Sequence, residues 1–307
     1  MMAETSGEPA PGNRVPENDV PAGRGHVRRG PAGPAGPVSN GEASAGWVPD
    51  DGAAVPLLTI AYSSLAERAG DVVWPERSDD LDLLLCVQGD LPEGFSPPDG
   101  VRLVRVPGRG VARSRNASLR HARGRYLLFC DDDVRVDLEG VRRGAEHLRA
   151  TGKAIALGRG MGADGEPRKR YAPEITPLTL FNSAKAATYE MLVDVSQLRA
   201  HDVWFDERFG AGAELYLGDE YILIADLLRA GLAGDAVPFV YGIHPVESSG
   251  SRWGGRDAHA RAVVFNRVFG WEAPAVRLAF AVRSRDKLGG WREVTRFALD
   301  GTRPPEA

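Results

Sequence analysis

The sequence predicts an α/β fold with a mainly parallel central sheet flanked by helices, and two features predict it. Short apolar runs recur as VPLLTIAY, LDLLLCVQ, VRLVRV and RYLLFC, and a helical stretch separates the third from the fourth. Strands that alternate with helices are buried on both faces, so they read as continuous apolar strings. In such sheets ligands settle beyond the carboxyl ends of the strands, and chemistry is sought there.

Residues 1–52 are rich in Pro, Gly and Ala and show neither a helical nor a strand period. They cannot bury enough apolar surface to offset chain entropy, so a disordered tail is expected. The first strand starts at Val55, and a helix is expected around Leu65 to Val73. Leu81 to Gln88 and Val101 to Val106 are the second and third strands. Gly110 to Ala122 reads as a helix ended by Gly124, and Tyr126 to Cys130 as the fourth strand. Leu157 to Leu180, with Arg159, Arg168, Lys169, Arg170 and Tyr171, reads as a basic loop, either solvated or covering a cleft. Thr188 to Val195 reads as a further strand, YILIADLLRAG as a buried helix ending at Gly231, and AVPFVY as another strand. Two helices follow, around Asp257 to Phe269 and Ala273 to Lys287. In the second, Ala275, Leu278 and Val282 recur at helical spacing, which suits packing on the core or a peripheral membrane contact.

With 307 residues and a formal net charge of −4, the chain gives no reason to expect nucleic acid as a partner. Its two cysteines, Cys86 and Cys130, each close an apolar run and are expected to be buried free thiols. No apolar signal core stands near Met1, and no apolar run approaches the roughly 20 residues of a membrane span. A cytoplasmic protein, at most peripheral to a membrane, is the expectation.

Asp131, Asp132 and Asp133 directly follow the fourth strand. Three carboxylates at one strand end repel one another, and a bound cation relieves them. Continued strand alternation would turn Asp131 and Asp133 the same way. Two hard oxygen ligands suit Mn²⁺ or Mg²⁺, with phosphate oxygens completing the shell. The bland alternative is a solvated acidic turn, which the position at the end of a buried strand disfavours. A haloacid-dehalogenase type of phosphatase also places Asp-x-Asp after an apolar strand. Arg135 stands where that motif has Thr or Val, and the triplet follows the fourth strand, not the first.

Upstream, Gly108-Arg-Gly-Val-Ala-Arg-Ser-Arg-Asn116 opens a helix with glycines, whose exposed N–H groups suit an anion. Arg113 and Arg115 oppose the helix dipole there, so they meet either an anionic ligand or the nearby aspartates. Asp219 and Glu220 open the later helix. They serve either as its cap and dipole partner or as a general base. His244, in a polar loop after AVPFVY, is either a surface residue or a further ligand for metal or phosphate.

In this order the segments resemble glycosyltransferase family 2, inverting enzymes with the GT-A fold, a Rossmann-like sheet. Gly110-Val-Ala-Arg-Ser-Arg-Asn116, the run from Ala122 to Asp133, Phe205-Asp206-Glu207-Arg208-Phe209-Gly210 and Gly218-Asp219-Glu220 carry the likeness. The resemblance implies a GT-A domain over 53–254, with a nucleotide-binding half (53–160), an acceptor half (161–254) and a C-terminal helical extension (255–307). It implies that Asp131 contacts the nucleotide near the metal and that Asp133, with His244, holds the cation. Glu220, or Asp219 given the inverted Asp-Glu order, deprotonates an acceptor hydroxyl. Tyr62, Ser63, Gln88, Arg115 and Asp132 complete the nucleotide pocket. Gln88, which both donates and accepts hydrogen bonds, stands where the family places base-reading aspartates and leaves the base open; a UDP-sugar is the first expectation for the donor and a GDP-sugar the second. The acceptor is a glycan, a lipid-linked sugar or a small molecule. Two alternatives are a non-catalytic sugar-nucleotide-binding protein and a nucleotidylyltransferase; the latter lacks its Gly-rich basic loop after the first strand.

Overall fold

Two apolar faces per strand build the core. The first run becomes β1 (Leu58–Leu65), followed by β2 (Leu81–Gln88), β3 (Val101–Val106), α1 (Val111–His121) and β4 (Tyr126–Asp131). Then come β5 (Arg135–Val136), α2 (Leu138–Thr151), β6 (Ile155–Gly162), β7 (Thr176–Pro177), β8 (Met191–Asp194), α3 (Val195–Ala200), α4 (Asp219–Arg229) and β9 (Gly234–His244). The chain closes with α5 (Arg256–Phe269), α6 (Ala273–Arg283), α7 (Arg285–Leu288) and α8 (Trp291–Leu299). This computed structural model describes residues 57–244 and 256–299. The expected tail over 1–52 lies outside the described residues.

The strands form one sheet in the order β3-β2-β1-β4-β8-β6-β9-β5, with β7 on β9. From the pairings, β1, β2, β3, β4, β6 and β9 run one way, while β5, β7 and β8 run against them. The sheet is thus mostly parallel, as expected. Side-chain alternation splits the core in two. Ala61, Leu84, Cys86, Leu127 and Phe129 face α1, α3 and α4. Ile60, Tyr62, Leu85, Leu128 and Cys130 face α2. Each fully buried leucine here contributes about 1.5–3 kcal/mol. Cys86 and Cys130 are free and buried.

Helix α2 starts where the Asp137 carboxylate accepts from the Gly140 N–H at 3.1 Å, and it ends at Gly152 in the left-handed region (φ 69°). Gly140 also lets α2 lie directly on β9, since a Cβ there would strike the Val240 carbonyl.

Several expectations need correction. The helix around Leu65 to Val73 shrinks to a 3-10 turn at Ala66–Arg68. The Tyr62 hydroxyl donates to the Val73 carbonyl at 3.2 Å, and the Tyr62 ring meets Trp74 edge-on; both contacts hold the following chain extended. Leu157–Gly162 belongs to β6, so the basic loop begins only after it. Thr188–Glu190 is a 3-10 turn ahead of the short β8, and His244 ends β9 instead of lying in a loop. The last expected helix breaks at Ser284 into α6 and α7. Among the described residues no helix is long and apolar enough to cross a membrane.

Candidate active site

The parallel register brings the carboxyl ends of β1, β2 and β4 side by side: Ser63 pairs with Asp131, and Leu65 with Gln88. Strand alternation stops at Asp131. The Val134 N–H bonds back to the Asp131 carbonyl at 3.2 Å, closing a turn around Asp132 and Asp133. The three carboxylates therefore reach different partners, and the expectation that strand alternation aligns Asp131 with Asp133 lapses with the strand. Asp131 takes Arg115 Nη2 at 3.3 Å. Asp132 is buried, accepts from the Ser64 hydroxyl at 2.7 Å and pairs with Arg68 at 2.6 Å. Burial nonetheless pushes its carboxyl above the usual range, against both partners. Asp133 receives His244 Nε2 at 3.3 Å and lies 3.7 Å from Arg68. The hydrogen bond from His244 holds Asp133 below the usual range, and burial opposes it.

The second acidic group arrives on α4. Gly218, not Asp219, caps that helix, and it does so without a side-chain bond. The Asp219 carboxylate turns inward to Arg115 Nη1, which also lies 3.1 Å from Glu220 Oε1. Arg115 is buried, and its guanidinium also lies 5.6 Å from the centre of the Phe205 ring. One cation thus faces Asp131, Asp219 and Glu220. Three carboxylates around one guanidinium leave excess negative charge in a desolvated place, and a proton is the remedy. Burial and the neighbouring Glu220 push Asp219 up to about 7. Glu220 moves the other way: burial would raise it, but Arg115 and the Thr188 hydroxyl, which donates at 2.6 Å, hold it low. Its side chain is 20% exposed against 4% for Asp219.

The loop before α4 is fastened to α1 by Asn116, whose amide donates to the Phe205 carbonyl at 3.0 Å and whose oxygen accepts from the Phe205 N–H at 2.9 Å. Gly210 follows with φ 94°, in the region that favours glycine, and a Cβ there would meet the Asp219 carboxyl and Val111. These contacts explain why the Arg-Asn and Phe-Asp-Glu segments occur together. Arg113 pairs with Glu207 at 3.3 Å, so both arginines of the helix start meet acidic residues.

A single 3-10 turn reaches three parts of this edge. Thr188 bonds Glu220, the Tyr189 ring stacks on His244 at 5.5 Å, and Glu190 accepts from Lys169 and from the Tyr171 hydroxyl at 2.7 Å. The basic loop is thereby tied to the same turn as the acidic pair. Neither Arg68 nor this turn was singled out from the sequence. Arg68 sits three residues after β1, but its partners are far along the chain, as is the Glu220 that Thr188 reaches.

Tyr62, Gln88 and Ser63 are all held inside the fold. Tyr62 is wholly buried on the α2 face and has no surface to offer a nucleotide. Gln88 is buried, and its amide donates to the Gly110 carbonyl at 2.8 Å, which supports the start of α1. Ser63 is buried beside Asp131.

Residues 91–208 match the family model described as Glycosyl transferase family 2. The matched segment contains the triplet, Arg115 and Thr188, while Asp219, Glu220 and His244 lie beyond it and are joined to it by the contacts above. Two solved structures from S. aureus share the fold. One is TarS 1-349, at 12% identity and a TM-score of 0.52, over 80% of this chain and 73% of that one. The other is a longer TarS chain, at 14% identity and a TM-score of 0.51, over 80% of this chain and 45% of that one. No curated protein matches the sequence.

Proposed function

We propose that this protein is a glycosyltransferase of the family 2 type, on the match of residues 91–208, and that it moves a sugar from a nucleotide-diphosphate donor to an acceptor hydroxyl with inversion at the anomeric carbon. The observation that carries the reading is Arg115, which gathers the strand-end Asp131 and the helix-start pair Asp219 and Glu220 onto one guanidinium. Donor-side and acceptor-side carboxylates then border a single cleft.

Glu220 is the general base. It is ionised, it reaches solvent, and Thr188 and Arg115 fix its orientation. Asp219 is closed in, and burial and the neighbouring Glu220 raise its carboxyl, which makes it the poorer candidate for an ionised base. The acceptor oxygen, relieved of its proton by Glu220, attacks the anomeric carbon opposite the leaving diphosphate. Asp131 and the basic start of α1 lie on the donor side. Among the described residues no group of three or more His, Cys, Asp or Glu is placed so that it alone could hold a metal ion. The meeting of Asp133 and His244 nevertheless suits Mn²⁺ or Mg²⁺, since such ions take one or two protein ligands and complete their shell with phosphates and water. Asp133 and His244, beside Asp131, would hold the ion. When bound, it offsets the charge that grows on the departing diphosphate.

A thermal-shift screen of UDP- and GDP-sugars with Mn²⁺ and with chelator tests this. Stabilisation by a nucleotide diphosphate that needs metal is expected, UDP before GDP. No stabilisation by any nucleotide in the presence of metal would sink the reading. Binding without donor hydrolysis or transfer would instead favour a non-catalytic sugar-nucleotide-binding protein.

A further inference from the structure

The last helices carry apolar side chains that the fold leaves uncovered. Trp271, in the turn between α5 and α6, is 89% exposed, Leu299 is 71% exposed and Trp291 60%; Leu278 and Val282 are about half exposed. Four of the five fall on two helices that pack together. Leu278 and Val282 stand one turn apart on α6, and Trp291, Thr295 and Leu299 stand one turn apart on α8. Between them runs a groove lined by Pro274, Ala275, Leu278, Trp291, Val294 and Leu299.

The charge here is opposite to that of the chain. Residues 271–299 hold six basic side chains (Arg277, Arg283, Arg285, Lys287, Arg292, Arg296) and three acidic ones (Glu272, Asp286, Glu293). The balance is 6 − 3 = +3, against −4 for the whole sequence. Arg285 lies 5.8 Å from the centre of the Trp291 ring, and exposed Arg292 and Arg296 flank the Trp291–Leu299 stripe. Beneath the patch Arg277 is buried, and its Nε and Nη1 have no hydrogen-bond partner. A second copy of the chain would set one positive patch against another, which repels. An acidic surface with an apolar interior matches both halves of the patch.

We propose that the α6–α8 face docks on an anionic lipid bilayer, with Trp271 and Trp291 at headgroup depth and the arginines against lipid phosphates. Helices of 11 and 9 residues lie in the interface and do not span it. The proposal does not depend on the transfer chemistry.

The test is co-sedimentation of the full chain with vesicles of phosphatidylcholine alone and with vesicles of equal parts phosphatidylcholine and phosphatidylglycerol. Binding to the anionic vesicles at least about tenfold tighter is expected, weakened by salt. Trp271→Ser with Trp291→Ser should lower it about tenfold, and Arg292→Glu with Arg296→Glu should lower it further. Both pairs are exposed, and circular dichroism checks that the fold is kept. No binding, equal binding to both vesicle types, or variants that bind like the parent overturns the proposal. So does a dimer of the parent chain that the tryptophan variant abolishes, which assigns the face to a second copy.

Discussion

Asp131, Asp132 and Asp133 are spread over Arg115, Ser64, Arg68 and His244, whereas Asp219 and Glu220 converge on Arg115 and share its Nη1. Both groups are carboxylates at the edge of one sheet, and their surroundings set them to different tasks. Spreading the partners leaves Asp131 and Asp133 partly open, with the Asp133 carboxyl held low by its bond from His244. Crowding two acids on one guanidinium forces a division of protons instead. The more enclosed acid is pushed up and the one that reaches solvent is held low.

The sharpest way to break this division is Glu220→Gln. Turnover should fall about 10²–10⁴-fold in a transfer assay, while the metal-dependent thermal shift by nucleotide persists. A pH profile tests the same point. A base works when ionised, so the rate holds above its pKa and is lost as pH falls through it. With Glu220 as base, kcat/KM stays level through pH 7 and falls only at or below the ordinary carboxylate range, because its pKa is lowered. A fall already centred at about 7 would assign the base to Asp219.

Next in size is Arg115→Met. Removing a buried cation and leaving its acids should cost about 3–5 kcal/mol in urea unfolding. Combined with Glu220→Gln the losses should fall short of their sum, since the two side chains share one network. On the spread-out side, Asp133→Asn should weaken Mn²⁺ affinity at least about tenfold, measured by metal titration of the nucleotide-induced thermal shift. The smallest effect belongs to Thr188→Val, expected to lower kcat about tenfold with KM little changed, and Thr188→Ser should restore it.

Much of this was legible in advance. The apolar runs marked β1 to β4, and the position of Asp131 to Asp133 after such a run put them at the strand ends where the proposed site is drawn. Strand alternation also contained a warning that the sequence reading passed over: Tyr62 shares the parity of Leu58 and Ile60, and all three point into the α2 face. The short 3-10 turn after β1 was hidden because Leu65 to Val73 has helical composition, and what holds the next residues extended is a tertiary bond from Tyr62 to Val73. The bonds from Thr188 to Glu220 and from Arg68 to Asp132 link positions 32 and 64 residues apart, and no local pattern announces them.

The sequence by itself determined where carboxylates, glycines and apolar strands would stand, because strand and helix periods are local properties of the chain. It left open whether Arg113 and Arg115 meet a ligand or an acid, and which of two adjacent acids is charged. Those outcomes belong to the tertiary structure. Arg115 and Asp219 are 104 residues apart yet share a buried contact, and the cost of a charge depends on the water removed and the partners nearby, not on spacing along the chain.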